Sequence, residues 1–470
     1  MSQQSNPSRP VNRLALRVFV PALLLVAVFG VAITYFPKNA TGRSPLTSAI
    51  DPGPRGGAPG AGGFLTGLSS NEKQILPTIT TEFSRAHDVV VTSPVDGGLG
   101  PRFNSNSCVS CHQYPAAGGS SPVSNPLFSV YQLRGASNTM PSFITTSGPI
   151  LEARFIHQSD GVTPDGNIHQ LFTITGRSDA TGCSISQPDF TTAQLTGNLA
   201  LRQPTPMYGS GLMEIIKNID IVNNMNANLA LKQSLGIAGH PNYSGNDGSI
   251  QRFGWKAQFR AVLTVASAQL NTEMGVTNEM FPTELDQTPG CVINPLPETV
   301  TNFTPGILTE NFPGDAERDM LYATWLLGPK AIAPTPSTTN GQTQFNNIGC
   351  VLCHTTSFTT PAGSRPALTN QIITLYSDFL VHHMGPGLAD GIAQGGAGPD
   401  EFRTAPLWGI GQRLFFIHDG RTKDLVQAIE DHYSLGNGTY GNSEANSVIT
   451  NFNALSTTNQ QDLLNFLRSL

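Results

Sequence analysis

Charged residues are scarce in this chain. They make up 12% of its 470 residues, about half the share found in typical soluble domains. Lysine and arginine number 26 against 32 acidic residues, which gives a formal net charge of −6. Proteins that bind nucleic acid carry a basic patch or stripe, and this mildly acidic chain gives no reason to expect one. The composition therefore argues against a nucleic-acid partner.

Cysteine and long apolar runs are also scarce. Six cysteines occur, and none precedes Cys108, which excludes a lipid-modified cysteine in the N-terminal part. One uncharged apolar run of 19 residues extends over 18–36. As a helix it would span about 28 Å, close to the roughly 30 Å hydrocarbon core of a bilayer. No comparable run follows, so we expect the rest of the chain on one side of a membrane.

The residues around this run predict its orientation and fate. Residues 1–17 contain three arginines and no acidic residue, so we expect them to form a short cytoplasmic tail. No small-residue cleavage site follows directly, which favours an uncleaved anchor over a signal peptide. We therefore expect a protein anchored in the inner membrane with its body in the periplasm, or a periplasmic protein if the run is cleaved. Residues 37–67 are rich in Gly and Pro and predict a flexible tether.

Four of the six cysteines fall in two five-residue motifs, CVSCH at 108–112 and CVLCH at 350–354. This spacing is the attachment signature of c-type haem. The two thiols bind the haem vinyl groups as thioethers, and the adjacent histidine ligates the iron. A zinc site would leave both histidines unexplained, and a thioredoxin-type dithiol has no histidine. The residues predicted to hold two covalent haem c groups are Cys108, Cys111, His112, Cys350, Cys353 and His354.

The two motifs lie in two copies of a longer unit. FNSNSCVSCH begins at Phe103 and FNNIGCVLCH at Phe345, with six of ten positions identical. PMYGSG follows from Pro206 and PLWGIG from Pro406. The first cysteine and this proline are 98 residues apart in the first copy and 56 in the second. The first copy therefore carries inserted segments.

These patterns predict the organisation of the whole chain. We expect a mainly α protein with two cytochrome c-like haem domains, at 68–330 and 331–470, behind the transmembrane helix. Loop-rich insertions with a few short strands would enlarge the first domain. Cys183 and Cys291 have no metal-site spacing, and in an oxidising compartment we expect them to form a disulfide. Two separate buried thiols are the alternative.

A helix predicted near 423–432 carries a candidate for the second axial ligand of the second haem. Apolar residues at helical spacing place His432 on the inward face of this helix. A buried histidine is ordinarily satisfied by a backbone carbonyl, but a haem in the same small domain needs a ligand. The alternatives that the sequence leaves open are Met384, His382, His383 and, as a residue that holds a propionate or a loop, His418.

Several specific motifs occur together over roughly residues 68–470. They are the two haem motifs, RTAPLWGIG, FIHDGRTKDLVQAI, HHMGPGLADG and FGWKAQF with EMGVTNEMFP. Together they resemble the family called di-haem oxidoreductase, putative peroxidase, and more distantly the bacterial di-haem cytochrome c peroxidases. The resemblance implies that one haem relays electrons while the other reacts with peroxide. It places the ligand of the electron-transfer haem at His432, and it differs at His383, where the family pattern has an acid.

By the same resemblance, the haem held by the first motif would be the reactive one. Glu214, eight residues after Pro206, would act there as general base and then acid on peroxide. His157, His169 and His240 are alternative distal residues or sixth ligands. The resemblance also implies an electron donor, such as a small cytochrome or another redox protein. A calcium ion lies between the domains of relatives, but no acidic cluster in this sequence indicates one.

Two functions remain open at this point. The first is a membrane-tethered di-haem oxidoreductase of peroxidase type. The second is a di-haem electron carrier with two six-coordinate haems. The insertions of the first copy favour the enzyme, because an electron carrier has no need of them.

Overall fold

A computed structural model describes residues 47–90, 98–294 and 314–470. All of these residues belong to one compact unit. Within these ranges, no helix is both long enough and apolar enough to cross a bilayer. The predicted transmembrane helix at 18–36 lies outside the described residues, so it stays a prediction.

Helices make up most of the regular secondary structure in the described part of the chain. The α-helices are α1 Ser70–Ser84, α2 Cys108–Cys111, α3 Leu127–Val130, α4 Phe190–Thr196, α5 Ser210–Glu214, α6 Asn218–Asn226, α7 Leu229–Leu235, α8 Val262–Met274, α9 Asp315–Trp325, α10 Pro336–Ile348, α11 Leu425–Glu430, α12 Asn446–Ala454 and α13 Thr457–Ser469. Short 3₁₀ segments cover Leu133–Gly135, Cys350–Leu352 and Ile410–Gln412.

The strands are short and pair two by two. They are β1 Arg102–Phe103, β2 Glu152–Phe155, β3 Phe172–Thr173, β4 Leu199–Arg202, β5 Phe358–Thr359, β6 Ile372–Ile373, β7 Val381–His383 and β8 Glu401–Arg403. The antiparallel pairs are β1 with β3, β2 with β4, β5 with β6, and β7 with β8. The prediction of a mainly α fold with a few short strands is confirmed.

Each haem motif folds into one tight helical turn. The His112 N–H donates to the Cys108 carbonyl at 3.0 Å, and the His354 N–H donates to the Cys350 carbonyl at 2.9 Å. Residues three and four positions apart in such a turn lie on the same face. The two cysteines and the histidine of each motif are thereby presented together.

Helices α10 and α13 pack against each other in the second half of the chain. They approach closely at Gly341, where a Cβ atom would lie 1.9 Å from the Asp462 carbonyl oxygen. Ser456 caps α13, because its hydroxyl accepts from the Asn459 N–H at 3.3 Å. The buried apolar side chains of this terminal segment are Leu463, Leu464, Phe466, Leu467 and Leu470.

The segment 47–67 is held against the body of the protein. Asp51 forms an ion pair with Arg468 at 2.6 Å and accepts from the Leu425 N–H at 2.8 Å, and Leu65 is buried. The expectation of a flexible tether over 37–67 stays a prediction, and these contacts do not support it for the described part. Its Gly and Pro content disfavours helix and strand, but the ion pair and the buried side chains still attach it.

The two predicted haem domains contact each other through buried polar groups. Arg202 of β4 forms an ion pair with Asp390 at 2.5 Å, and both side chains are almost fully buried. The Gln203 side chain donates to the Ile417 carbonyl at 2.6 Å. The boundary between 68–330 and 331–470 stays a prediction.

A disulfide joins Cys183 and Cys291 in the first half, as predicted. The two cysteines are 108 residues apart, and both lie within a buried apolar cluster. Cross-linking a chain over so long a loop reduces the conformational entropy of its unfolded state. The disulfide should therefore stabilise the first half considerably.

Replacing Cys183 by serine tests this contribution. The Cys183→Ser and Cys183→Ser/Cys291→Ser variants should both lose about 4–5 kcal/mol of unfolding free energy, because each removes the same cross-link. Urea unfolding followed by circular dichroism measures the loss, and the haem absorption spectrum serves as the control for an intact site. Unfolding midpoints equal to that of the wild type would contradict a stabilising role.

Candidate functional site

The first haem motif faces a cavity in the first half of the chain. Cys108, Cys111 and His112 form part of its wall. Apolar and aromatic side chains form another part, among them Leu127, Phe253, Phe259, Met274 and Trp408. Polar side chains also face it, among them Asn104, Glu152, Arg154, Arg202, Arg252 and Glu273. The cavity thus combines a haem-attachment motif with buried charge.

His112 is oriented for a metal by a backbone carbonyl. Its Nδ1–H donates to the Gly119 carbonyl at 3.1 Å, and the Thr205 carbonyl is a further hydrogen-bond partner of the ring. Burial lowers the pKa of His112, so the imidazole is neutral near pH 7. A neutral ring whose other nitrogen is hydrogen-bonded to a carbonyl is the state in which histidine ligates metals.

The second haem motif faces a separate and more apolar cavity. Cys350, Cys353 and His354 contribute to its wall together with side chains from α10, α12 and α13. The His354 Nδ1–H donates to the Tyr376 carbonyl at 3.0 Å. Burial lowers the pKa of His354 to about 4. This proximal site therefore has the same arrangement as the first.

His432 faces the same cavity as His354. It lies just beyond the end of α11 and donates from Nδ1 to the Ala428 carbonyl at 2.7 Å. Burial lowers its pKa, so its Nε2 has a free lone pair. Two neutral imidazoles with free Nε2 atoms in one cavity suit the two axial positions of an iron. This geometry supports the predicted ligand role of His432, which stays a prediction.

The other candidates for the second axial ligand of the second haem differ in the contacts that their side chains already make. His382 has both nitrogens occupied, by Asp378 at 3.1 Å and by Glu444 at 2.7 Å. His418 lines the cavity, and its ring stacks on another aromatic ring with centroids 4.3 Å apart. Met384 lines the cavity and is almost fully buried. Of these rivals, His382 is therefore the one whose ligand atoms are already engaged by carboxylates.

Two arginines shared by the cavities fit the haem propionates. Arg403 and Arg413 line both cavities, and burial lowers the pKa of each to about 10. Within the described part of the chain, neither forms an ion pair with a carboxylate, and Arg403 donates only to backbone carbonyls. A buried cation without a counter-charge is costly. Haem propionates at this wall would supply the missing negative charge.

Glu152 and Glu273 face the first cavity and are hydrogen-bonded to each other. Burial and the charge of Glu152 raise the pKa of Glu273 to about 8. Burial opposes ionisation of Glu152 as well, but Arg154 and Arg202 outweigh it and lower the pKa of Glu152. The pair therefore holds one proton near pH 7.

Sequence reasoning missed this pair. Glu273 lies within the quoted motif EMGVTNEMFP, which was a usable signal. The partner, Glu152, is 121 positions earlier in the chain, and no spacing rule connects two residues so far apart. Only the approach of β2 to the end of α8 brings them together.

Glu214 does not line the first cavity. Its neighbours Ser210 and Met213 do, but successive helical residues point about 100° apart. The Glu214 carboxylate accepts from the Val262 N–H, and burial raises its pKa. Its catalytic role stays a prediction that this placement does not support.

The alternative distal histidines are also outside the first cavity. The His169 Nε2 contacts Asp165 at 2.9 Å and the His240 Nε2 contacts Glu401 at 2.7 Å. His157 is half-buried and forms an isolated antiparallel bridge with Pro164. Among the described residues that line this cavity, His112 is the one histidine.

The three tryptophans differ in their relation to the cavities. Trp255 lines both, and its Nε1–H donates to the Gln203 carbonyl at 2.8 Å. Trp408 lines the first cavity, and Trp325 is buried in the core. Trp255 is therefore the aromatic side chain that belongs to the walls of both cavities.

A protein-family comparison identifies the class of protein. The family model described as "Di-haem oxidoreductase, putative peroxidase" matches residues 157–470, which is more than half of the chain. The chain therefore belongs to this family of di-haem oxidoreductase enzymes. The match includes the second haem motif and begins after the first. Membership implies two haems, and two separate cavities, each with a haem motif, agree with that number.

No curated protein matches the chain, and similarities to solved structures are weak. Hydrazine synthase from Kuenenia stuttgartiensis aligns at 14% identity over 58% of this chain and 73% of its own, with a TM-score of 0.29. A MauG-like protein associated with microbial copper homeostasis aligns at 13% over 56% and 89%, with 0.28. The di-haem peroxidase BthA from Burkholderia thailandensis aligns at 13% over 57% and 86%, with 0.27. TM-scores this low do not establish a shared fold.

Removing the His432 imidazole tests the second axial ligand. In the His432→Ala variant, one haem of the two should change from low-spin to high-spin ferric iron, because a strong-field nitrogen ligand is lost. Low-temperature EPR measures the change. Met384→Leu is the matched control and should keep the low-spin signal. The opposite pattern, in which Met384→Leu alone changes the spin state, would assign the ligand to Met384.

Proposed function

We propose that this protein is an exported, membrane-tethered di-haem c peroxidase. In this proposal the second haem passes electrons to a reactive first haem, where hydrogen peroxide is reduced. The family supplies the class of enzyme. The covalent attachment of the haems, the direction of electron flow between them and the cellular location of the protein are parts of this proposal.

The asymmetry of the two cavities is the observation that carries the proposal. The second contains His354 and His432, two neutral imidazoles that suit a closed, six-coordinate iron. The described lining of the first contains one histidine, His112, together with the hydrogen-bonded pair Glu152 and Glu273. A closed iron suits electron transfer, and an iron with one protein nitrogen beside an acid–base pair suits substrate chemistry.

The side chains of the first cavity can transfer protons. A haem bound there would supply electrons and a site for a peroxide oxygen. Reduction of H₂O₂ to two molecules of water consumes two electrons and two protons. The ionised Glu152 can accept the proton from one peroxide oxygen, and the protonated Glu273 can deliver a proton to the other. Cleavage of the O–O bond then releases a neutral water molecule instead of hydroxide. Arg154 and Arg202 keep Glu152 ionised for this role.

Electrons would enter through the second haem. Trp255, Arg403 and Arg413 belong to the walls of both cavities, so these side chains would lie between the two haem sites. The reductant in this proposal is a cytochrome or another redox protein. Two one-electron transfers from such a donor balance the reduction of one peroxide.

Several observations support export to the periplasm. Haem c is attached in that compartment, and the chain carries two attachment motifs. The disulfide between Cys183 and Cys291 suits an oxidising environment. The apolar run at 18–36 and the arginines before it suit an inner-membrane anchor.

Ferric EPR of the purified holoprotein tests the proposed function. One high-spin signal that shifts on addition of cyanide or peroxide, alone or after partial reduction, is the expected result. It would show that one iron has an exchangeable site. Two low-spin signals that ignore cyanide, peroxide and partial reduction would instead identify an electron carrier.

The carboxyl pair predicts a pH dependence of peroxide turnover. Because the pKa of Glu273 is raised to about 8, the pair keeps its proton below that pH and loses it above. Turnover should therefore fall as the pH rises through about 8. Glu273→Gln should lower turnover by about 10²–10⁴-fold and abolish this alkaline decline.

Glu214→Gln is the matched control for this experiment. It makes the same chemical change at a half-buried carboxyl group outside the cavity lining, so its turnover and pH profile should equal those of the wild type. If Glu214→Gln loses turnover and Glu273→Gln retains it, the acid–base role belongs to Glu214, as the family resemblance implies.

A further inference from the structure

A second cluster of titratable side chains lies apart from both haem cavities. Its members are His240, His383, Asp400 and Glu401, and none of them lines either cavity. Strands β7 and β8 pair so that His383 lies opposite Glu401. The backbone of His240 pairs with Val381, two positions before His383 on the same strand. Because side chains alternate along a strand, this pairing brings His240 to the face that carries His383.

The two imidazoles contact one and the same oxygen atom. Glu401 Oε1 lies 2.7 Å from the His240 Nε2 and 3.1 Å from the His383 Nε2. The Glu401 side chain is 4% exposed, while the imidazoles are 44% and 53% exposed. Oε2 of Glu401 accepts from the Gly398 N–H at 2.6 Å, which fixes the carboxylate. Among the described residues, no lysine or arginine forms an ion pair with it.

The remaining ring nitrogens must each carry a proton. The His240 Nδ1 contacts the Pro241 carbonyl at 3.1 Å, and the His383 Nδ1 contacts both Asp400 carboxylate oxygens at 3.1 and 3.2 Å. Carbonyl and carboxylate oxygens only accept hydrogen bonds. In a neutral imidazole with a proton on Nδ1, Nε2 is an acceptor. Two nitrogen lone pairs then face the same carboxylate oxygen from different sides, an arrangement that requires positive charge between each nitrogen and that oxygen.

We propose that His240, His383 and Glu401 form a binding site for a divalent transition-metal ion of the zinc class. Two imidazole nitrogens and one carboxylate oxygen, with a water molecule in the fourth position, are a known ligand set for Zn²⁺. Asp400 and the Pro241 carbonyl hold the Nδ1–H groups, as outer-shell partners do in zinc sites. A single divalent ion supplies the positive charge that two protons, one on each Nε2 atom, would otherwise supply.

The exposure of the two rings permits the required adjustment. Zn²⁺ binds imidazole nitrogen at about 2.0–2.1 Å, so both rings must move toward a common centre. Each is half-exposed and can rotate into solvent-filled space, whereas the buried Glu401 stays in place. The half-exposed side of the cluster leaves the fourth coordination position accessible to water.

Zinc titration of the purified holoprotein tests the site. After dialysis against EDTA, which leaves haem iron bound, ZnCl₂ is added in a calorimeter at pH 7.5. We expect one Zn²⁺ per chain to bind, and X-ray absorption at the zinc edge should show two imidazole ligands with an oxygen or nitrogen shell at about 2.0–2.1 Å. This spectroscopic result uses the wild-type protein and does not depend on the folding of any variant.

Variants then assign the ligands. His240→Gln and His383→Gln should each weaken zinc binding by more than the roughly 10–100-fold typical of an outer-shell loss, and Asp400→Asn by about that amount. His157→Gln, at a histidine outside the cluster, should bind zinc as the wild type does. A wild-type protein that binds no zinc overturns the proposal and leaves two imidazolium groups on Glu401. Zinc binding that survives both cluster substitutions overturns it as well.

Discussion

The hydrogen bond from an imidazole Nδ1–H to a backbone carbonyl oxygen fixes the orientation of the candidate ligand histidines in both cavities. His112, His354 and His432 each make this bond, at 3.1, 3.0 and 2.7 Å. Burial lowers the pKa of all three, so the rings are neutral near pH 7. A charged ring at these positions would repel a metal cation. Metal-ligand chemistry therefore depends on a fold that places a carbonyl oxygen behind each ring.

Buried charge distinguishes the two halves of an otherwise repeated unit. The wall of the second cavity is mostly apolar and includes His354 and His432, two neutral imidazoles, whereas the first has one imidazole and the proton-sharing pair Glu152 and Glu273. Glu152 lies on β2, in the longer stretch between the first haem motif and Pro206, and Glu273 lies at the end of α8. The acid–base groups of this site therefore come from outside the haem motif itself.

Much of the site was predictable because haem chemistry constrains local spacing. The two CxxCH motifs specify one helical turn each, and helical periodicity brings His432 inward; these are short-range properties. The flexible tether was predicted from composition, but the contacts of Asp51 and Leu65 with distant residues hold its described part in place. Glu214 was selected by resemblance, and the direction of its side chain at the end of a single-turn helix places it outside the cavity lining.

Sequence alone determined the number and position of the haem motifs, the repeat, the disulfide partners and the mainly α character. Each of these follows from residues close in the chain or from the scarcity of a residue type, as with the two cysteines left over. Tertiary structure decided which charged groups meet. Glu152 reaches Glu273, Arg403 and Arg413 line both cavities, and His240 joins His383 and Glu401 only after segments far apart in sequence pack together. Electrostatic interactions depend on distance in space, and no local pattern records that distance.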